Sequence, residues 1–121
     1  MPESARKSPP SLLLVDDDAP FRRSLAISLR LDGIVVLEAS TGAEALAQLE
    51  HRRVALALVN QHLAAESGES LMEEIARRSP TTRIVAVSCQ PGLSSAMAIA
   101  GRALQLVKPV APDALLQLLA V

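Results

Sequence analysis

The chain has no tryptophan or tyrosine, and Phe21 is its sole phenylalanine. A base-stacking platform or an aromatic cage therefore has nothing to be built from. A single cysteine, Cys89, excludes an internal disulfide, and a lone thiol of this kind is expected to pack as a small hydrophobe. No apolar run approaches the ~18 residues of a membrane span, and the opening MPESARKSPPS lacks the apolar stretch of a secretory signal. The expectation is a cytoplasmic protein with no membrane contact. Neither sign of charge dominates: the formal net charge is -1, and no basic stripe offers the footprint that direct nucleic-acid binding needs. His51 and His62 have no Cys or His partner at ligand spacing, which argues against a transition-metal site.

What is present is apolar and regularly interrupted. Half of the 121 residues are hydrophobic, enough for one domain with a single core. Residues 1–10 are polar and proline-bearing and read as a mobile leader, leaving 11–121 as the domain. Leu12 to Val15 are too few and too uniformly apolar for a helix, so a strand buried on both faces fits. Asp18 is a plausible N-cap with Pro20 in the first turn. Phe21, Leu25 and Leu29 follow at helical spacing and Gly33 stops the helix. Ile34 to Leu37 read as a second strand, and Thr41-Gly-Ala-Glu44 as a capping box for a helix that turns Ala45, Leu46 and Leu49 inward. A strand over Val54 to Val59 and a helix over Gly68 to Arg78, with Leu71, Met72 and Ile75 inward, come next. After Ser79-Pro80 follow a strand over Arg83 to Ser88, a short alanine-rich helix within Leu93 to Arg102, a strand over Leu104 to Val107 and a last helix from Pro112-Asp113. Five strands alternating with five helices predict a parallel sheet covered on both faces.

The carboxyl ends of parallel strands form the ligand crevice of an open sheet. Here they deliver Asp16, Asp17 and Asp18 from the first strand, Asn60 from the third, Ser88 from the fourth and Lys108-Pro109 from the fifth. One site is implied, acidic on one side and capped by a lysine, with an amide where chemistry would want a carboxylate. Blander readings exist for several residues. The acidic run serves equally as a helix-capping loop, His51 as a favourable charge near a helix C-terminus, and Arg22-Arg23 and Arg77-Arg78 as solvated helix faces.

These stretches together resemble the receiver domains of two-component response regulators. LLLVDDDAPFRRSL is similar to the family's first strand, acidic pair and first helix, SGESLMEEI to the glycine and helix after its third strand, and VKP to its lysine-proline. The resemblance implies a flavodoxin-like (βα)5 three-layer sandwich with strand order 2-1-3-4-5. It implies that Asp16 and Asp17 hold Mg²⁺, that the His62 backbone carbonyl completes the metal's protein ligands, and that Asn60 falls on the phosphoacceptor aspartate. Ser88 and Lys108 fall on the residues that contact the phosphoryl group, and Gln105 on the aromatic switch residue. The partners implied are a sensor kinase or an output protein. The face of the fourth helix, fifth strand and fifth helix is implied as a possible homodimer surface, and Arg22-Arg23 lie where kinases dock.

The sequence departs from that pattern at Asn60, at Ala64-Ala65 in place of proline-glycine, at Gln105, and in a shortened segment between Ser88 and Lys108. An amide neither attacks phosphorus nor offers Mg²⁺ a negative oxygen, so metal binding is expected to be weak or absent and the domain is not expected to be an enzyme. Two readings stay open: a pseudo-receiver that acts by binding a partner, and an ordinary Mg²⁺-dependent phosphoacceptor whose aspartate has been replaced at position 60. A flavin carrier on the same sheet order is disfavoured by the anionic DDDAP loop, where a cofactor phosphate needs amides and positive charge. On the last helix, Leu115, Leu116, Leu118 and Leu119 lie on more than one side, and with the uncharged fourth helix they predict an exposed apolar patch.

Overall fold

A computed structural model describes residues 10–64, 66–88 and 103–119. Five strands, β1 Ser11–Val15, β2 Val35–Ala39, β3 Leu56–Asn60, β4 Arg83–Ser88 and β5 Ala103–Val107, pair in parallel in the order β2-β1-β3-β4-β5. The flavodoxin-like order expected from the sequence is the order found. Helices α1 Ala19–Leu31, α2 Gly42–Leu49, α3 Gly68–Arg78 and a C-terminal helix Pro112–Leu119 cover the sheet. The expected fourth helix, Cys89 and the leader over 1–9 lie outside the described residues.

Alternation along the strands divides the core. Leu13, Val15, Ala57, Val59, Ile84 and Ala86 face one side and pack with Ala45 of α2 and with Leu71, Met72 and Ile75 of α3. Leu12, Leu14, Leu56, Leu58, Val85 and Val87 face the other side, against Leu25 and Leu29 of α1 and Leu115 of the C-terminal helix. Both faces of β1 and β3 are buried almost throughout, which is why these two strands read as apolar runs.

The helix ends follow from local chemistry. Asp18 caps α1 by accepting from the Phe21 N–H, and Gly33, at φ 87, carries the chain out of it. Thr41 caps α2 by accepting from the Glu44 N–H, while the Glu44 carboxylate reaches back to the Ser40 N–H and hydroxyl, one residue earlier than a capping box requires. Ser67 caps α3. Two strand starts differ from expectation for the same reason, a competing partner. The Ile34 N–H is still spent on the Leu29 carbonyl, so β2 begins at Val35. The Val54 carbonyl accepts from the Thr82 hydroxyl, and β3 begins at Leu56.

Two surface expectations need correction. Arg22 is not solvated: its side chain is 11% exposed, pairs with Glu38 at 3.0 Å and donates to the Asp16 carbonyl at 2.7 Å. On the C-terminal helix Leu115 is fully buried, and Leu116, Leu118 and Leu119 are partly buried against the α1 side of the core. The Arg83 guanidinium at the start of β4 holds that helix by donating to the Leu118 carbonyl at 2.6 Å. Among the described residues the exposed large apolar side chains are instead Ile27, Leu31, Val35 and Val107.

Candidate functional site

Parallel strands place their carboxyl ends together, and the polar residues found there converge. Asp16, at the end of β1, is 1% exposed and has both oxygens engaged. Its Oδ1 accepts from the Asp18 N–H at 2.9 Å and from the Asn60 Nδ2 at 3.2 Å, and its Oδ2 lies 3.1 Å from the Lys108 Nζ. Asn60, the last residue of β3, is also buried, and its Oδ1 accepts from the His62 N–H at 3.1 Å. These two neighbours fix the orientation of the amide. Rotated by half a turn it would set an N–H₂ against an N–H and an oxygen against a carboxylate.

Lys108 joins the group from the end of β5. Its N–H bonds the Ser88 carbonyl at 2.9 Å, its ammonium also faces Asp18 at 3.9 Å, and it sits over the Phe21 ring at 4.2 Å from the centroid. The peptide bond between Lys108 and Pro109 is cis. Ser88 is buried at the end of β4, and the neighbouring Gln61 N–H bonds the Val87 carbonyl at 2.8 Å. The Gln105 side chain lies outside the described residues, so only its pairing opposite Ala86 is placed.

The loop from β3 to α3 is fastened at both of its sides. The Ala64 N–H donates to the Asp17 Oδ2 at 2.7 Å, and the Glu66 carboxylate accepts from the Gly42 N–H at 2.8 Å, at the N-terminus of α2 where a negative charge is favourable. Gly68 opens α3 directly against the end of β3: a Cβ there would lie 2.7 Å from the Gln61 Cα, so only glycine fits. The Lys108 stack on Phe21, the Arg22 bond to Asp16 and the Glu66 cap had no local sequence signal. Each joins residues that are not periodic neighbours in the chain.

A hard divalent ion wants several oxygens, preferably anionic. Here the donor set is poor. Asp16 is satisfied by an amide and an ammonium, Asp17 by a backbone N–H, and residue 60 supplies an amide rather than a carboxylate. Among the described residues no group of three or more His, Cys, Asp or Glu side chains is placed to hold a metal. With an amide at 60 the site lacks the carboxylate that would serve both as an anionic metal ligand and as the nucleophile for an acyl phosphate.

A 2-1-3-4-5 parallel sheet with an acidic pair, a buried hydroxyl and a lysine at its carboxyl ends defines a flavodoxin-like receiver fold. The chain belongs to the response regulator receiver domain family, whose profile matches residues 12–120. It is 36% identical over 88 residues to the photosynthetic apparatus regulatory protein RegA of Cereibacter sphaeroides, covering 73% of this chain and 48% of RegA. It is 31% identical over 115 residues to the alginate biosynthesis transcriptional regulatory protein AlgB of Pseudomonas putida, covering 93% of this chain and 26% of AlgB. The chain thus spans half or less of the length of these relatives. Among solved structures, a CheY-like receiver domain protein from Methanospirillum hungatei superposes with a TM-score of 0.85 at 30% identity, over 93% of this chain and 92% of that one. A Burkholderia pseudomallei response regulator with a phosphorylated aspartic acid, a calcium ion and citrate superposes with a TM-score of 0.83 at 26% identity, over 91% of this chain and 66% of that one. With Asn60 at the phosphoacceptor position, this is an atypical member. Among the described residues no helix is long and apolar enough to cross a membrane.

Proposed function

We propose that the chain is a receiver of two-component signalling whose phosphoacceptor site is silent because asparagine stands at position 60, and that in this form it acts by contact with a partner protein. The observation that carries this reading is the Asn60 amide donating to Asp16 while Lys108 pairs with the other Asp16 oxygen. An aspartate at 60 would set two carboxylates about as close as the present 3.2 Å contact, a geometry that asks for a cation between them. The asparagine removes that demand with one side chain. By this reading Asp17, Ser88 and Lys108, gathered at the same strand ends as Asn60, are what is left of a frame for Mg²⁺-dependent phosphorylation rather than an unrelated binding surface. The Burkholderia neighbour, which carries a phosphorylated aspartic acid and a calcium ion, is consistent with that frame.

The partner by this reading is a sensor kinase or an output protein in the cytoplasm. A second copy, docking on β5 and the C-terminal helix, where Val107 is exposed, is the homodimer form of the same proposal.

The test is intact-mass measurement after incubation with Mg²⁺ and acetyl phosphate. The protein as it stands is expected to gain no phosphoryl group, and Asn60→Asp is expected to gain one, at residue 60. An unmodified Asn60→Asp protein would show that the frame is not a phosphoacceptor site, and a phosphoryl group on Ser88 of the unaltered protein would show that the site is not silent.

A further inference from the structure

The amino ends of the strands, on the opposite side of the sheet from Asp16 and Lys108, border a second concavity. It has a volume of about 420 Å³ and lies between the last turns of α2 and α3, beside the segments that lead into β3 and β4. Arg52, Arg53 and Arg78 line it, with Leu46, Leu49 and Pro80 as its apolar wall. Glu50 is its one carboxylate, and Ser79 and Thr81 add hydroxyls.

Arg78 is partly neutralised by Glu74, whose Oε2 lies 2.6 Å from its Nε, and it reaches Glu50 at 4.0 Å. Arg52 and Arg53 are exposed, and no ion pair or side-chain hydrogen bond among the described residues includes either guanidinium. Basic residues after a helix often serve its terminal carbonyls, but at α2 three of these are already taken by backbone N–H groups. The Leu46 and Ala47 carbonyls accept from the Glu50 N–H, and the Gln48 carbonyl from the His51 and Arg52 N–H groups. Two guanidinium forks therefore face a concavity with no assigned acceptor inside the fold.

We propose that this groove binds a small amphiphilic oxyanion, with a phosphate or carboxylate head on Arg52 and Arg53 and a short aliphatic or ring body against Leu46, Leu49 and Pro80. Guanidinium forks match either head group in a bidentate manner. The volume lies within the range of small-ligand sites, and too small a stretch of cationic surface surrounds it for a nucleic-acid backbone. The three-arginine wall against a single carboxylate also excludes a metal cation as the occupant. The site is separate from the phosphoacceptor position and does not depend on the reading of Asn60.

Titration of the protein with inorganic phosphate, phenyl phosphate and benzoate, followed by amide NMR, tests the assignment. Phenyl phosphate or benzoate is expected to move the amides of residues 46–53 and 78–82 and to bind more tightly than inorganic phosphate, and the tighter of the two identifies the head group. The Arg52→Gln, Arg53→Gln double variant is expected to lose about tenfold in affinity for that probe, with its far-ultraviolet circular dichroism unchanged because both side chains are exposed. Shifts confined to the Asp16, Asn60 and Lys108 end, equal affinity in the double variant, or no shift with any probe would each overturn the proposal.

Discussion

The two ends of this sheet treat charge in opposite ways. At the carboxyl end a buried carboxylate, Asp16, has every oxygen answered from within the chain, by Lys108, Asn60 and the Asp18 N–H. At the amino end Arg52 and Arg53 stay in water with no partner among the described residues. Burial is the difference. An ion 1% exposed must be paired and hydrogen-bonded or the fold does not tolerate it, whereas an exposed guanidinium costs nothing when left to solvent and stays available to a ligand. A closed network at one end and an open one at the other thus come from the same rule applied at two depths.

The largest expected effect comes from taking away the one cation that answers Asp16 at its Oδ2. Lys108→Met keeps an unbranched apolar stem, one atom shorter, but removes the ammonium and with it the charge, and it is expected to cost about 3 kcal/mol. Urea unfolding followed by circular dichroism measures it. A loss of under about 0.5 kcal/mol, the usual size of a surface change, would mean that the ion pair is not buried in solution and that the carboxyl end is as open as the amino end.

A smaller effect is expected at Asn60. Asn60→Asp replaces a donor toward Asp16 with a like charge and should destabilise the metal-free protein by about 2 kcal/mol. Millimolar Mg²⁺ should restore most of that loss in the variant by binding the folded state, and should leave the melting temperature of the unaltered protein nearly unchanged. Thermal melts of both proteins with and without Mg²⁺ give all four values. Equal response to Mg²⁺ would show that the acidic pair does not converge on residue 60.

The carboxyl end was also the legible end. Short apolar runs that stop in DDD, N, S and KP announce parallel strands and a common crevice, because β-α connectivity leaves one arrangement for them. The same connectivity, read with the capping signals at Asp18, Thr41 and Gly33, placed α1, α2 and α3. Partners set by tertiary contact were hidden. Glu66 reaches Gly42, Arg22 turns inward to Glu38, and Arg52, Arg53 and Arg78 meet only because two helices end side by side. The leucines of the last helix misled for a related reason: helical spacing shows that Leu116, Leu118 and Leu119 cannot all face the sheet, but not that the α1 side of the core extends to meet them.

The smallest expected effect concerns one surface carboxylate at each end, Glu44 exposed and Glu74 partly buried. Glu44, at the start of α2, has its carboxyl held below the ordinary 4.5 chiefly by the Ser40 backbone N–H, with the Ser40 hydroxyl next. Glu74, near the end of α3, is lowered chiefly by its hydrogen bond from Arg78, with Arg77 adding to it. In both cases the folded value lies below the unfolded one. Each group therefore adds stability that is fully present above about pH 5, and that is lost as pH falls through the folded value. What separates them is the partner: a backbone amide is fixed and neutral, while a guanidinium on a flexible stem is screened by salt. Carboxyl NMR titrations at low salt and at about 1 M salt, where the screening length shrinks to about 3 Å, should return Glu74 toward the ordinary value and leave Glu44 lowered. If both relax together, the Ser40 amide is not what holds Glu44, and the distinction between an end held by fixed internal partners and an end held by mobile charges does not extend to the surface.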